Sequence, residues 1–134
     1  MRLFPKADNF DTGIFILRVG IGAMFIYHGF PKMLSGPDGW VKLGQTMGLF
    51  GINSYHVFWG FMAAASELFG GMLLVAGFAV RIASAFLFVT MAVAASMHFN
   101  KGGGLEVASH AIEAGIVFLS LIFMKRGTIK KGPK

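Results

Sequence analysis

The sequence predicts an all-α integral membrane protein, an antiparallel four-helix bundle in a single domain. Three observations predict it. The apolar fraction is 55% and the mean hydropathy +0.68, while only 13% of the 134 residues are charged, too few to give so short a chain a water-facing surface. Four apolar segments also have the length of a membrane span, about 17–25 residues. The second and third are joined by only three residues, as in helices that return antiparallel.

The first segment, about residues 12–30, reads TGIFILRVGIGAMFIYHGF and is expected to end at Pro31 and Lys32. An internal arginine, the preceding Asp8 and Asp11 and the lack of a small-residue cleavage site make it a permanent span rather than a cleaved signal. The stretch from Pro31 to Tyr55 is semi-apolar (Trp40, Val41, Leu43, Met47, Leu49, Phe50), and predicts either a short interfacial helix anchored by Trp40 or a capping loop. The second span covers about 56–78 and the third about 82–99. Only Ala79, Val80 and Arg81 join them, which forces a helical hairpin. The fourth covers about 108–124 and stops at Lys125 and Arg126, leaving a basic tail, 125–134.

Lysine and arginine counts orient the chain. The N-terminus, the Ala79–Arg81 turn and the tail share one side and carry eight of these residues, against three (Lys32, Lys42, Lys101) on the other. Both termini are therefore expected in the cytoplasm of a prokaryotic cell, with the protein multi-pass in its cytoplasmic (inner) membrane. The +6 net charge follows the helix ends and tail rather than an aromatic-laced patch, so no nucleic-acid partner is expected. Cysteine is absent, which removes disulfides, thiolate metal sites and CxxC chemistry.

Ionisable residues inside spans cost about 2.5–3.5 kcal/mol each at mid-helix and mark positions of consequence. Arg18 lies in the first span, Glu67 in the second and Glu113 in the fourth, with His28, His98 and His110 near span ends. Gly60, Ala63, Ala64, Gly71 and Leu74 share a helical face with Glu67, so the carboxylate is expected to point into the bundle. Arg18 is its expected counter-ion, as a structural pair that locks the bundle. Gly60-x-x-x-Ala64 suits either an oligomer contact or one within the subunit.

His28, His98, His110 and Glu113 are expected at similar depth toward the outer face, and Glu106, His110 and Glu113 line one helix stripe. These four are the candidates for proton chemistry; the structural alternative is a place at headgroup depth for His28 and His98, and an interhelix hydrogen bond for Glu113 with His110. His98, His110 and Glu113 have donor types that can ligate a metal, but no feature demands one and none is expected. Nine methionines read as packing rather than a copper path, because no Met-x-x-Met run occurs.

Two motifs carry a resemblance. LRVGIGAMFIYHGFPKML, Leu17 to Leu34, joins an arginine, a His-Gly pair and a lysine, and SELFGGMLLVAGFAVR, Ser66 to Arg81, holds a Glu-x-x-Gly-Gly block ending in glycine and arginine. A weaker third is His98, the Lys101–Gly104 loop and Glu113. In this order the chain resembles the DoxX family of small membrane proteins. The resemblance implies characteristic positions at Arg18, His28, Lys32, Glu67, Gly70, Gly71, Arg81, His98 and Glu113. The chain departs from the family's Ser-Leu-Asp-type ending, with Arg126-Gly127-Thr128-Ile129-Lys130 in its place.

The family takes its name from a subunit of an archaeal thiosulfate:quinone oxidoreductase, with other members linked to membrane redox and oxidative-stress complexes. The resemblance thus implies a redox-complex subunit engaging a quinone or similar small molecule within the bundle, beside Glu67, His98 and Glu113. With no cysteine or cofactor motif, the chain is not expected to move electrons alone and would need a partner protein or a bound quinone. If the chain takes part in catalysis, it does so as an accessory subunit. The competing expectations are a non-enzymatic assembly or chaperone-like factor, and a small-solute or metal transporter, which with four spans would need to form a homo-oligomer.

Overall fold

The computed structural model describes residues 7–124, and the basic tail and its departure from the family ending lie outside the described residues. The described residues form five α-helices and one 3-10 segment: α1 (Ala7–Leu34), α2 (Gly36–Gly44), the 3-10 segment Gln45–Phe50, α3 (His56–Ala76), α4 (Val80–Asn100) and α5 (Gly104–Phe123). Four of them, α1, α3, α4 and α5, are long and apolar enough to cross a membrane. The protein is thus an all-α, multi-pass membrane bundle whose outer surface meets lipid.

The helix ends correct the sequence reading. Pro31 does not stop α1, which runs one further turn to Leu34; the Ser35 amide then bonds the Pro31 and Lys32 carbonyls. Pro31 forfeits one helical hydrogen bond and crowds the turn before it, and α1 carries that cost for its last turn. Lys32 therefore belongs to the helix and its inward face. Gly36, at φ +72°, adopts the left-handed conformation that breaks α1 from α2. Gly77, at φ +78°, ends α3 at Ala76, and its amide and that of Phe78 both bond the Leu73 carbonyl. α4 begins at Val80 and so carries Arg81 in its first turn, where Nε donates to the Ile122 carbonyl at the end of α5 (2.7 Å).

The short helix expected between the first two spans is α2, and it packs along α3. Trp40 meets Gly60 and Gly44 meets His56, so the two helices run antiparallel. Trp40 is turned to the bundle. Its indole N–H donates to the Lys32 carbonyl (3.1 Å), and its ring stands edge-on to Phe61, with centroids 5.1 Å apart. Gly60 and Ala64 are both buried, which assigns the Gly60-x-x-x-Ala64 notch to a contact within the subunit.

Two helix pairs are close-packed. α1 and α3 meet through glycine: a Cβ on Gly22 would lie 2.7 Å from the Gly71 carbonyl oxygen, and one on Gly29 would lie 2.9 Å from the Glu67 Cβ. α4 and α5 meet through Met91, Ala108, Ala111, Ala114 and Gly115. Gly70 against Leu87 joins the pairs through α3 and α4. The fourth side differs, because no α-carbon of α1 lies within 8 Å of one in α5 among the described residues. Side chains close that seam. Phe25 and Phe118, both buried, meet edge-to-face at 4.9 Å, and His28 faces His110 with ring centroids 5.6 Å apart.

Candidate functional site

Glu67 lies near the middle of α3 and is 3% exposed, inside the bundle as its small-residue neighbours predicted. Its partner is not Arg18. Lys32 Nζ donates to both carboxylate oxygens, at 2.8 Å to Oε1 and 2.9 Å to Oε2. Helix register explains the correction. Gly29 faces Glu67 and Leu68, while Arg18 sits eleven residues earlier on α1, about 16 Å away along the axis. Lys32 is one turn beyond Gly29 on the same stripe as Phe25, so its side chain reaches the carboxylate directly. The signal was available at positions 25, 29 and 32, whose 4–3 spacing continues the buried face of α1.

The pair is asymmetric. The Glu67 side chain is 4% exposed, whereas that of Lys32 is 39% exposed and remains open along one flank. An ammonium held by two charge-assisted hydrogen bonds keeps a third N–H for another acceptor. His28 stands one turn before Lys32 on α1, half-buried, with the edges of Phe25 and Tyr27 around its ring at 6.1 and 5.5 Å. Beyond it lies the exposed His110 of α5. A buried carboxylate, an ammonium and two imidazoles thus run in series from the α1–α3 interface to the α1–α5 seam.

The other candidates stay apart. His98 is half-buried near the end of α4, and Glu113 is exposed on α5. Among the described residues no hydrogen bond or ion pair joins Glu67, His98 and Glu113, and no three His, Asp or Glu side chains gather closely enough to hold a metal ion. Helix rotation, which hydropathy does not encode, turns Glu113 to the outside of α5, whereas Glu67 lies inside the bundle. Next to α4, an apolar groove of about 210 Å³ runs between Met91, Ala95, Ala111, Ile112, Gly115 and Ile116, with no polar side chain to orient a headgroup.

Arg18 is 2% exposed, its guanidinium 5.1 Å from the Phe15 ring centroid, and its Nε and Nη1 have no hydrogen-bond partner. Gly22, one turn further along α1, packs on Gly71, Leu74 and Val75, which sets Arg18 level with the carbonyl end of α3. Arg18→Met, which keeps the volume and removes an unsatisfied cation, is expected to keep stability within about 1 kcal/mol of wild type, while Arg18→Ala leaves a void and costs about 2 kcal/mol. Thermal denaturation of the purified variants measures the difference.

The DoxX family profile matches residues 13–100, from the first turns of α1 to the end of α4. The chain belongs to the DoxX family. The matched stretch of this DoxX protein contains Arg18, His28, Lys32, Glu67 and His98, whereas His110 and Glu113 lie beyond it. Among curated proteins, Putative oxidoreductase CatD of Bacillus subtilis (strain 168) is 35% identical over 83 residues, covering 62% of this chain and 57% of that protein. The chain thus matches little more than half the length of that relative. No solved structure matches.

Proposed function

We propose that this DoxX protein is a membrane subunit of a redox complex that engages a quinone, or a small molecule of quinone type, at the α1–α5 seam. The carrying observation is the Lys32–Glu67 pair, with a partly open ammonium one turn from His28. In this reading the free N–H of Lys32 donates to a quinone carbonyl. His28 and His110 exchange the two protons that accompany two-electron reduction to the quinol, the electrons coming from a partner subunit. Titratable groups at this depth suit such an exchange, because proton transfer needs donors within hydrogen-bond reach of the headgroup. The name of the Bacillus relative, an oxidoreductase, supports a redox setting.

The site of engagement differs from the sequence expectation, which placed the headgroup beside Glu67, His98 and Glu113. Here Glu67 positions Lys32, and the imidazoles are His28 and His110. Mass spectrometry of the purified protein is expected to find co-extracted quinone. A short-tail ubiquinone titrated into the protein in nanodiscs is expected to bind, with affinity at least tenfold weaker in His28→Ala. No co-extracted quinone together with no binding on titration overturns the reading.

Charge asymmetry supports an inner-membrane location with both termini in the cytoplasm, which would put the histidine end of the seam on the far side. Reporter fusions at residue 134 test that orientation.

A further inference from the structure

The exterior of α5 carries a polar stripe of which the site above uses His110 alone. Glu106, His110, Glu113 and Ser120 are all exposed, and Val117 is half-buried. Glu113, set nine residues into a helix long and apolar enough to span the membrane, has no hydrogen bond or ion pair among the described residues. Unpaired carboxylates are rare on a lipid-facing surface, because such side chains turn to a bundle interior or to a partner. The spacing is informative too: 106, 110, 113, 117 and 120 alternate by four and three, the seam of a heptad repeat. His110 and Val117 take one seam position; Glu106, Glu113 and Ser120 take the other.

We propose that this stripe is the dimer interface, and that its occupant is α5 of a second copy of this chain. Two copies inserted with the same topology set their α5 helices parallel. In parallel knobs-into-holes packing, a side chain at the His110 position enters a hole formed by residues 106, 109, 110 and 113 of the facing helix. Each imidazole then lies between Glu106 and Glu113 of the other copy, beside its Ser109. The stripe is its own complement, with a donor seated against two acceptors in both directions. Polar groups of this kind hold membrane helices together where apolar surface gives no drive. The contact shares only His110 with the α1–α5 seam and does not require a quinone to be bound there.

The absence of native cysteine makes the test clean. Single cysteines are introduced at Val117, Ser120 and Leu119 in the full chain, and membranes are treated with a mild oxidant. Seam positions face their own copies, so Val117→Cys and Ser120→Cys are expected to form disulfide-linked homodimers readily, and Leu119→Cys, beside the α4–α5 groove, at least fivefold less. Adding Glu113→Gln or His110→Ala to Val117→Cys is expected to cut the homodimer at least threefold, while monomer yield stays constant. Equal cross-linking at all three positions, no cross-link at any, or a disulfide formed only with a different protein overturns the proposal.

Discussion

Lys32→Ala is expected to destabilise the protein more than Glu67→Ala does, although both remove the same ion pair. Removing Lys32 leaves a carboxylate that is 4% exposed, with neither of its hydrogen-bond donors. Removing Glu67 leaves an ammonium that is already 39% exposed on a flexible stem and can swing toward the outer surface. Breaking a fully buried pair costs about 3–5 kcal/mol. The open flank of Lys32 lowers that figure, so we expect about 3 kcal/mol for Lys32→Ala and about 1–2 kcal/mol for Glu67→Ala. Thermal or denaturant unfolding in one detergent gives the order directly. Equal losses, or a larger loss for Glu67→Ala, would mean that the carboxylate is not the deeply committed partner.

Gly29→Ala is expected to cost about 2–3 kcal/mol, and for a different reason. A Cβ at position 29 would stand 2.5 Å from the Leu68 amide nitrogen and 2.9 Å from the Glu67 carbonyl carbon. These are backbone atoms of a regular helix and have no rotamer by which to retreat, so α1 must move away from α3. The same movement lengthens the Lys32–Glu67 contact, which tilts the site as well as the fold. Gly20→Ala is the internal control. Nothing lies within 4 Å of its Cβ, and alanine is the better helix former, so stability is expected to hold or rise slightly. If the two variants melt alike, the glycine contact is not what sets the distance between α1 and α3.

Much of the fold was legible because hydropathy and length report burial in lipid directly. The four spans, a tight hairpin between the second and third (expected at residues 79–81 and found two residues earlier) and the inward direction of Glu67 all follow from composition and helical spacing. Lys32 was misplaced because a proline just before it looked like a helix end, which moved the true counter-ion of Glu67 into a loop. Arg18 then stood as the one cation within a span, although the α1–α3 register puts it about three turns from the carboxylate. Hydropathy gives depth without rotation, and rotation decides partners. Of the four residues expected at one depth, His28 and His110 meet, and among the described residues neither His98 nor Glu113 is paired with another of the four.

The central claim is that Lys32 and Glu67 hold α1 to α3 and fix the ammonium that the site presents. A double-mutant cycle tests it most directly, with unfolding free energies of wild type, Lys32→Ala, Glu67→Ala and the double variant measured under one condition. A direct ion pair predicts a coupling of at least about 1 kcal/mol, with the double variant more stable than Lys32→Ala alone, because no buried carboxylate is then left without its donor. Additive losses, with coupling near zero, would contradict the pairing and with it the assignment of the site.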